Sequence, residues 1–395
     1  MLNYPFSIQS RLPNVGTTIF TVMSALANEC NAVNLSQGFP DFDCSPQLLD
    51  RVEHYLRTGH NQYAPMIGVA PLREALAEKI KYLYEAEYDP GSEIIITAGA
   101  TQAIYTAVTA LVHPGDEVIV FEPVYDSYVP AIELAGGKPV YINLKFPDYH
   151  INWDEVAAKV TSRTRMIMIN TPNNPTGSAF SKDDMLSLAK IVKDKDIVIV
   201  SDEVYEHITF DGVRHESIAR YPELACRSFI ISSFGKTYHV TGWKIGYCVA
   251  PKDLMKEFCK AHQFIVFTCN TALQLGIADF MQDKSHYLEL GQFYQRKRDF
   301  FLNAIKDSAF RPLHSYGTYF QLLQYDNITD ENDLAFAKRL TREYGVASIP
   351  LSVFSSSRED NKVLRFCFAK SEDTLIKGAE RICRIRERAQ NNFPI

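Results

Sequence analysis

The sequence lacks several features that would place it in a specialised class of protein. Among its 395 residues no window approaches the roughly 20 apolar residues that a bilayer-spanning helix needs, and no basic segment followed by an apolar run opens the chain. Its 41 basic and 47 acidic residues form no long block of one sign, so nothing draws the protein to nucleic acid or to an anionic membrane. We therefore expect a cytoplasmic protein whose partners are small molecules or a second copy of itself.

Paired cysteines are also missing. The eight cysteines include no C-x-x-C motif, and several lie between apolar residues, as in YCVA and RFCFA. This distribution is typical of buried, reduced thiols rather than of disulfides or metal ligands. Neither a repeat nor a low-complexity tract interrupts the chain, and the sequence predicts a globular protein without a metal site.

Short β-rich runs recur between residues 93 and 250, and they are continuous rather than alternating in their apolar residues. The runs are EIIIT, EVIVF, KPVYINL, RMIMIN, DIVIVS, SFIISSF and IGYCVA. Such runs suit strands that are covered on both faces. The segments between them include ATQAIYTAVTALV, with apolar residues at helical spacing, and KDDMLSLAKIVKDK, which Ser181 opens as an N-cap. Alternating strands and helices predict an open, mostly parallel α/β sheet.

The pattern of apolar and charged residues changes after about residue 285. The charged segment YLELGQFYQRKRDFFLNAIKDS predicts a long connecting helix, and GTYFQLLQY, VASIPL and KVLRFCFA predict strands with helices around them. We therefore expect a large α/β domain over residues 46–285. A smaller α+β domain would comprise residues 286–395 together with residues 1–45, which we expect to pack across both parts.

Small, polar and charged residues follow five of the predicted strands. They are Gly99, Ala100 and Thr101 after EIIIT, Tyr125 after EVIVF, Asn174 after RMIMIN, Asp202 and Tyr205 after DIVIVS, and Lys236 after SFIISSF. Open α/β sheets bind ligands at the carboxyl ends of their strands, and a helix N-terminus favours a phosphate. The set suits one ligand with a phosphate, a flat ring, a phenolic oxygen, a protonated ring nitrogen and an aldehyde. Pyridoxal 5′-phosphate (PLP) has all of these.

Longer motifs carry a family resemblance over nearly the whole chain. They are NLSQGFPDF (34–42), NQYAPMIG (61–68), EPVYDSY, NTPNNPTG, SDEVYEH, SSFGKTYHVTGWKIG and LRFCFAKSEDTL (364–375). In these motifs the chain resembles the class I/II aminotransferases of PLP fold type I, above all the branch of methionine aminotransferases and kynurenine aminotransferase/glutamine transaminase K. The resemblance implies a PLP-dependent aminotransferase with a large domain built on a mostly parallel central sheet and a smaller α+β domain.

The resemblance further implies roles for single residues. Lys236, Asp202 and Tyr205 match the catalytic group: the lysine that bonds to PLP and moves the proton, the carboxylate on the pyridine nitrogen, and a donor to the ring oxygen. The other cofactor positions are Asn174 as a second donor to that oxygen, Gly99, Ala100, Thr101, Ser233 and Lys244 around the phosphate, and Tyr125 stacked on the ring. Tyr63 matches a tyrosine that reaches the phosphate of the neighbouring subunit, which implies a homodimer with active sites at the interface.

Substrate binding is implied at a second set of residues. Arg365 matches the arginine that binds the substrate carboxylate; the other candidates are Gly38, whose backbone approaches the substrate, Asn174, and the pocket residues Phe20 and Phe267. An arginine on a strand can also face solvent, but the apolar neighbours in VLRFCFA argue for a buried strand, where an arginine needs an anionic partner.

The choice of amino donor is less constrained than the chemistry. No second arginine can be assigned to a distal carboxylate, which favours neutral side chains. The kynurenine branch often carries Phe-His where this chain has Phe267-Thr268, and a tryptophan near Phe20, so the sequence favours methionine or an aromatic amino acid. The alternative is a kynurenine/glutamine aminotransferase with cysteine-conjugate β-lyase activity. A third possibility, an amino-acid sensor without turnover, is disfavoured because the whole catalytic set is present.

Overall fold

Residues 5–386 are described by a computed structural model of the chain. Its strands are β1 (Val33–Asn34), β2 (Ile94–Thr97), β3 (Glu117–Glu122), β4 (Lys138–Asn143), β5 (Thr164–Asn170), β6 (Val198–Asp202), β7 (Ser228–Ser233), β8 (Gly246–Val249), β9 (Arg311–Pro312), β10 (Phe320–Gln324), β11 (Val346–Ala347), β12 (Ile349–Pro350) and β13 (Val363–Cys367). All seven apolar runs between residues 93 and 250 form strands, as the sequence predicts.

Its helices alternate with these strands. They are α1 (Ile19–Glu29), α2 (Pro46–Arg57), α3 (Ala70–Tyr84), α4 (Gly99–Leu111), α5 (Tyr128–Leu134), α6 (Trp153–Lys159), α7 (Lys182–Val192), α8 (Pro222–Ala225), α9 (Phe234–Thr237), α10 (Lys252–Ile265), α11 (Thr271–Phe280), α12 (Ser285–Leu288), α13 (Leu290–Ala304), α14 (Asp333–Arg339) and α15 (Glu372–Ile382). The predicted N-cap of α7 is present as a capping box, in which Ser181 and Asp184 each accept from the other's backbone N–H.

The larger sheet has seven strands in the order β2-β8-β7-β6-β5-β3-β4. The pairs from β7 through β4 are parallel, whereas β8 is antiparallel to both of its neighbours. Residues 234–245, which include α9, connect β7 to β8, and β8 returns antiparallel beside β7. Strands β2, β3 and β6 are buried along their whole length, in keeping with their continuous apolar sequence.

The smaller sheet is antiparallel, with the order β12-β13-β10-β9. Its central strands pair Leu322 with Arg365, so that the arginine lies in the middle of the sheet. The N-terminal segment joins this part of the molecule, because β1 pairs in parallel with β11. The domain division proposed from the sequence stays a prediction, and residues 1–4 and 387–395 of the smaller predicted domain lie outside the described residues.

The cysteines and the helices carry two further observations. All eight cysteines are free, and all are buried or half-buried except Cys226, which is exposed. The expectation of buried thiols is therefore wrong at Cys226, which follows the short helix α8 at the protein surface.

Within residues 5–386, no helix is both long enough and apolar enough to cross a membrane.

Candidate active site

The ends of several strands of the larger sheet surround a cavity of about 150 Å³. Strands β5, β6 and β7 end at Asn170, Asp202 and Ser233, and the short helix α9 that follows β7 carries Lys236. The N-terminus of α4 closes the cavity from the β2 side. The lining residues are Gly99, Ala100, Thr101, Ile104, Tyr125, Asn170, Asn174, Asp202, Val204, Tyr205, Ser233, Lys236, Thr241 and Lys244.

Lys236 is half-buried, and its amine is held by a tyrosine and a backbone carbonyl. Its Nζ donates to the hydroxyl oxygen of Tyr319 at 2.8 Å and to the carbonyl oxygen of Gly38 at 3.3 Å. Burial lowers the pKa of Lys236 to about 8, and the positive charges of Lys244 and Arg365 act in the same direction. An appreciable fraction of this amine is therefore neutral near pH 7, as a nucleophile or a general base requires.

Asp202 is buried in the floor of the cavity, with 4% of its surface exposed. The hydroxyl of Tyr128 donates to Oδ2, and the backbone N–H of Val204 donates to Oδ1 at 3.2 Å. Burial raises the pKa of Asp202 to about 6, and these two hydrogen bonds oppose that rise. Asp202 is thus ionised at neutral pH, yet no cation within residues 5–386 lies within ion-pair distance of it.

Arg365 is a buried guanidinium with 1% of its surface exposed. Its Nη1 donates to Oδ1 of Asn174 at 2.6 Å and its Nη2 to the carbonyl oxygen of Ser36 at 3.3 Å, while Nε has no partner among the described residues. Burial lowers the pKa of Arg365 to about 10, so the group stays charged at neutral pH. No carboxylate in the described part of the chain pairs with it. A buried cation without an anion is costly, and a ligand carboxylate would complete the site.

Three aromatic rings enclose this guanidinium. The ring centroids of Phe320, Phe20 and Phe354 lie 3.8, 5.2 and 5.4 Å from the guanidinium carbon of Arg365. Cation–π contacts of this kind stabilise an arginine and orient its plane. The immediate surroundings of Arg365 are therefore apolar and aromatic.

The N-terminus of α4 and two side chains form an anion-binding corner. Gly99 adopts a φ of +77°, and a Cβ on it would lie 3.4 Å from Nζ of Lys244. Lys244 is exposed, and no acidic partner is present for it in the described residues. The Ser233 hydroxyl oxygen accepts from the N–H of Gly235 at 3.2 Å. Free helix N–H groups, an ammonium and a hydroxyl are the groups that bind a phosphate.

The chain is similar to known proteins over most of its length. Residues 31–382 match the profile of the family described as aminotransferase class I and II. The chain belongs to the class I and II aminotransferases. Methionine aminotransferase of Escherichia coli strain K12 is 49% identical over 97% of this chain and 99% of its own length. Kynurenine–oxoglutarate transaminase 1 of Mus musculus is 33% identical over 94% of this chain and 96% of its own.

Solved structures agree with this assignment. The structure of YbdL from Escherichia coli, described as a methionine aminotransferase, is similar with a TM-score of 0.94 at 48% identity, covering 96% of this chain and 100% of the other. N-succinyldiaminopimelate aminotransferase from Mycobacterium tuberculosis gives 0.92 at 36% identity, with 96% and 100% covered. This aminotransferase therefore has the fold type I architecture that the sequence predicts, and it is an enzyme of the transaminase class.

The structure brings most of the predicted site residues of this aminotransferase together. Every predicted cofactor residue lines the cavity except Tyr63, and Gly38, Asn174 and Phe20 lie within contact of Lys236 or Arg365. Tyr63 and Phe267 instead pack edge-on against each other, with ring centroids 5.5 Å apart, at the surface of the chain. Tyr63 is 84% exposed. Neither residue lines the cavity, and their roles towards cofactor and substrate stay predictions.

Several contributors to the site were not assigned from the sequence. Tyr128 donates to Asp202, Tyr319 holds Lys236, and Phe354 packs beside Arg365. Tyr128 belongs to the motif EPVYDSY, as does the predicted Tyr125, so its position at the sheet edge could be predicted from the sequence. Its contact with Asp202, 74 residues away, could not be predicted from a local pattern.

Proposed function

We propose that this aminotransferase uses PLP and transfers the amino group of methionine, or of an aromatic amino acid, to a 2-oxo acid in two half-reactions. The observation that carries the proposal is the buried Arg365, with no carboxylate partner in the described residues and aromatic rings around it. That arrangement suits a substrate with one carboxylate and an apolar side chain. The cations among the residues that line the cavity are Lys236 and Lys244, and both have other roles in the proposed reaction, so neither is left for a distal carboxylate.

The residues of the cavity fit PLP. Asp202 is a buried, ionised carboxylate without a cation, as a protonated ring nitrogen requires. Tyr125 supplies an aromatic face, and the N-terminus of α4 with Lys244 and Ser233 supplies a phosphate site. Because Oδ1 of Asn174 accepts from Arg365, the amide nitrogen of Asn174 is left to donate, together with the hydroxyl of Tyr205, to the ring oxygen.

The reaction assigns a task to each of these side chains. Arg365 binds the substrate carboxylate through its guanidinium fork and so fixes the orientation of the Cα–H bond. Lys236 Nζ, with its pKa of about 8, removes the Cα proton as a general base and carries it as an ammonium. PLP supplies the aldehyde that accepts the amino group and a ring that withdraws electrons from Cα. Asp202 holds the charge of the ring nitrogen, and the aromatic walls exclude water from the reacting atoms.

The first experiment tests the half-reaction directly. Adding L-methionine to the PLP-loaded protein without any 2-oxo acid should bleach the visible absorbance band and release one 2-oxo acid per site. Addition of a 2-oxo acid should restore the band. If no amino acid changes the band, the proposed function is wrong.

The substitution Arg365→Lys tests whether Arg365 binds the substrate carboxylate. It should lower kcat/KM for methionine by about 100-fold, because an ammonium cannot reproduce the two-pronged contact with a carboxylate. The matched control is Arg311→Lys on β9 of the same sheet, whose arginine makes an exposed ion pair with Asp326 and should change nothing. If the Arg365→Lys variant kept full activity, the carboxylate-binding role proposed for Arg365 would be wrong.

A donor panel separates the substrate proposals. We expect kcat/KM to be higher for methionine and phenylalanine than for kynurenine, in line with the relative at 49% identity and the apolar walls around Arg365. A higher value for kynurenine would favour the alternative that the related kynurenine transaminases suggest.

The cytoplasmic location stays a prediction from the sequence.

A further inference from the structure

A buried carboxylate links the two sheets of the molecule. Glu122 is the last residue of β3 in the larger sheet, and 3% of its surface is exposed. Its Oε1 accepts from the backbone N–H of Ser356 at 2.6 Å and its Oε2 from the Ser356 hydroxyl at 2.9 Å. Ser356 belongs to the loop 351–362, which joins β12 and β13 of the smaller sheet.

The same loop is held to helix α14 by a second buried carboxylate. Asp333, at the start of α14, accepts from the backbone N–H of Ser352 at 2.6 Å and from the Ser352 hydroxyl at 2.7 Å. The loop is thus fixed at Ser352 to α14 and at Ser356 to the larger sheet. Two hydrogen bonds to one carboxylate define a geometry more tightly than a single bond.

Phe354 lies midway between these two anchors. Its ring centroid lies 5.4 Å from the guanidinium carbon of Arg365 and 5.8 Å from the ring of Phe20. Its carbonyl oxygen accepts from the N–H of Val124 at 2.8 Å, two residues after Glu122. The residue after Val124 is Tyr125, which lines the cofactor cavity. One short segment, 122–125, therefore contacts the cofactor side of the site and also anchors the loop on the substrate side.

We propose that Glu122 is a positioning residue for substrate binding: by anchoring Ser356 it holds Phe354 beside Arg365, and it thereby sets the affinity for the substrate carboxylate and side chain. Glu122 does not line the cavity, and both of its carboxylate oxygens accept from Ser356. The inference rests on the proposed role of Arg365 as the carboxylate-binding group.

The test measures substrate affinity and chemistry separately in the PLP-loaded enzyme. Glu122→Ala should raise KM for methionine and the inhibition constant of 3-phenylpropanoate together, each by about tenfold, because the loop loses both bonds to a charged group. We expect kcat to stay within about threefold, since no group that moves a proton is altered. The inhibitor has the carboxylate and an aromatic side chain but no amine, so its binding reports on the Arg365 side of the site without turnover.

Three further variants separate positioning from general stability. Glu122→Gln should restore near-normal constants, because the amide oxygen can accept from the Ser356 N–H while the amide nitrogen donates to the Ser356 hydroxyl. Ser356→Ala, which keeps only the backbone bond, should give an intermediate rise and serves if Glu122→Ala does not fold. The matched control is Glu117→Ala at the other end of β3, where a buried carboxylate binds Thr161 and Arg163. It should lower the melting temperature without changing either constant.

The possible outcomes are distinguishable. If Glu122→Ala, or Ser356→Ala in its place, lowers the melting temperature but leaves KM and the inhibition constant unchanged, Glu122 is only structural and the inference fails. An equal rise in Glu117→Ala would also overturn it. If the unsubstituted enzyme neither turns over methionine nor binds 3-phenylpropanoate, the proposed function fails and the inference fails with it.

Discussion

Asp202 keeps its charge at neutral pH because two hydrogen-bond donors offset part of the cost of its burial. Its pKa of about 6 lies above the ordinary value, so the carboxylate is ionised above that pH and protonated below it. A protonated ring nitrogen is bound by the ionised form only. Affinity for PLP should therefore fall as the pH is lowered through about 6.

The substitution Tyr128→Phe should move this dependence to higher pH. The lost hydroxyl no longer stabilises the carboxylate, so the pKa of Asp202 rises and PLP binding weakens by up to about tenfold near pH 7, with less change at pH 8.5. Titration of the cofactor-free protein with PLP between pH 5.5 and 8.5 measures this shift. Tyr149→Phe is the matched control, because the buried Tyr149 hydroxyl has no partner among the described residues. Superimposable profiles for Tyr128→Phe and the unsubstituted protein would contradict the assignment.

At this scale the sequence predicted residue types well and contacts poorly. The lysine, the aspartate and the arginine could be named because they follow or lie on apolar strands and because the motifs match a family. The partners of these residues could not be, since the Lys236–Tyr319 bond spans 83 residues and the Arg365–Asn174 bond spans 191. Such pairs depend on how two sheets meet, which no local pattern encodes.

At the scale of elements, the strand-to-helix turn before α4 combines backbone geometry with phosphate chemistry. Gly99 has a φ of +77°, where a side chain is strained, and a Cβ would touch Lys244. Gly99→Ala should therefore cost about 1 kcal/mol of stability, and relief of the backbone strain should shift the N–H groups of this turn away from the phosphate site. We expect a selective loss of affinity for PLP over pyridoxal, which lacks the phosphate.

A second glycine supplies the control for this prediction. Gly115 has a φ of +92° in the turn before β3, with no atom within 4 Å of the position of a Cβ. Gly115→Ala should lower the melting temperature to a similar extent, while the ratio of PLP to pyridoxal affinity stays unchanged. The role assigned to the α4 turn would be wrong if both variants kept the same ratio as the unsubstituted protein.

The elements themselves were largely predictable, and their arrangement was only partly so. Continuous apolar runs identified all seven strands of the larger sheet, because burial on both faces leaves a local signal. The reversed direction of β8 left no such signal, since its apolar run is as continuous as those of the parallel strands. The long helix predicted over residues 287–308 is divided into α12 and α13, with α13 covering Leu290–Ala304.

At the scale of the whole molecule, one exposed surface suggests a second chain. Tyr63, Phe264 and Phe267 are large apolar side chains with 84%, 85% and 42% of their surface exposed. The segments that carry them are adjacent, because the Thr271 hydroxyl donates to the carbonyl oxygen of Gln62 at 2.6 Å. Tyr63 and Phe267 also pack against each other, and exposed apolar side chains that lie together are typical of a protein interface. We therefore propose a homodimer in which Tyr63 reaches the partner's cofactor site.

Mixing two inactive variants tests this arrangement. In a dimer of Lys236→Ala with Tyr63→Ala, one site carries both lesions, whereas the other combines Lys236 of one chain with Tyr63 of its partner and is intact. Random reassociation of equal amounts makes about half of the dimers mixed, so activity should recover to about a quarter of the unsubstituted value. Each variant alone, taken through the same procedure, is the control. Activity that stays at the sum of the two variants would mean that Tyr63 acts within its own chain or not at all, and the shared site would have to be abandoned.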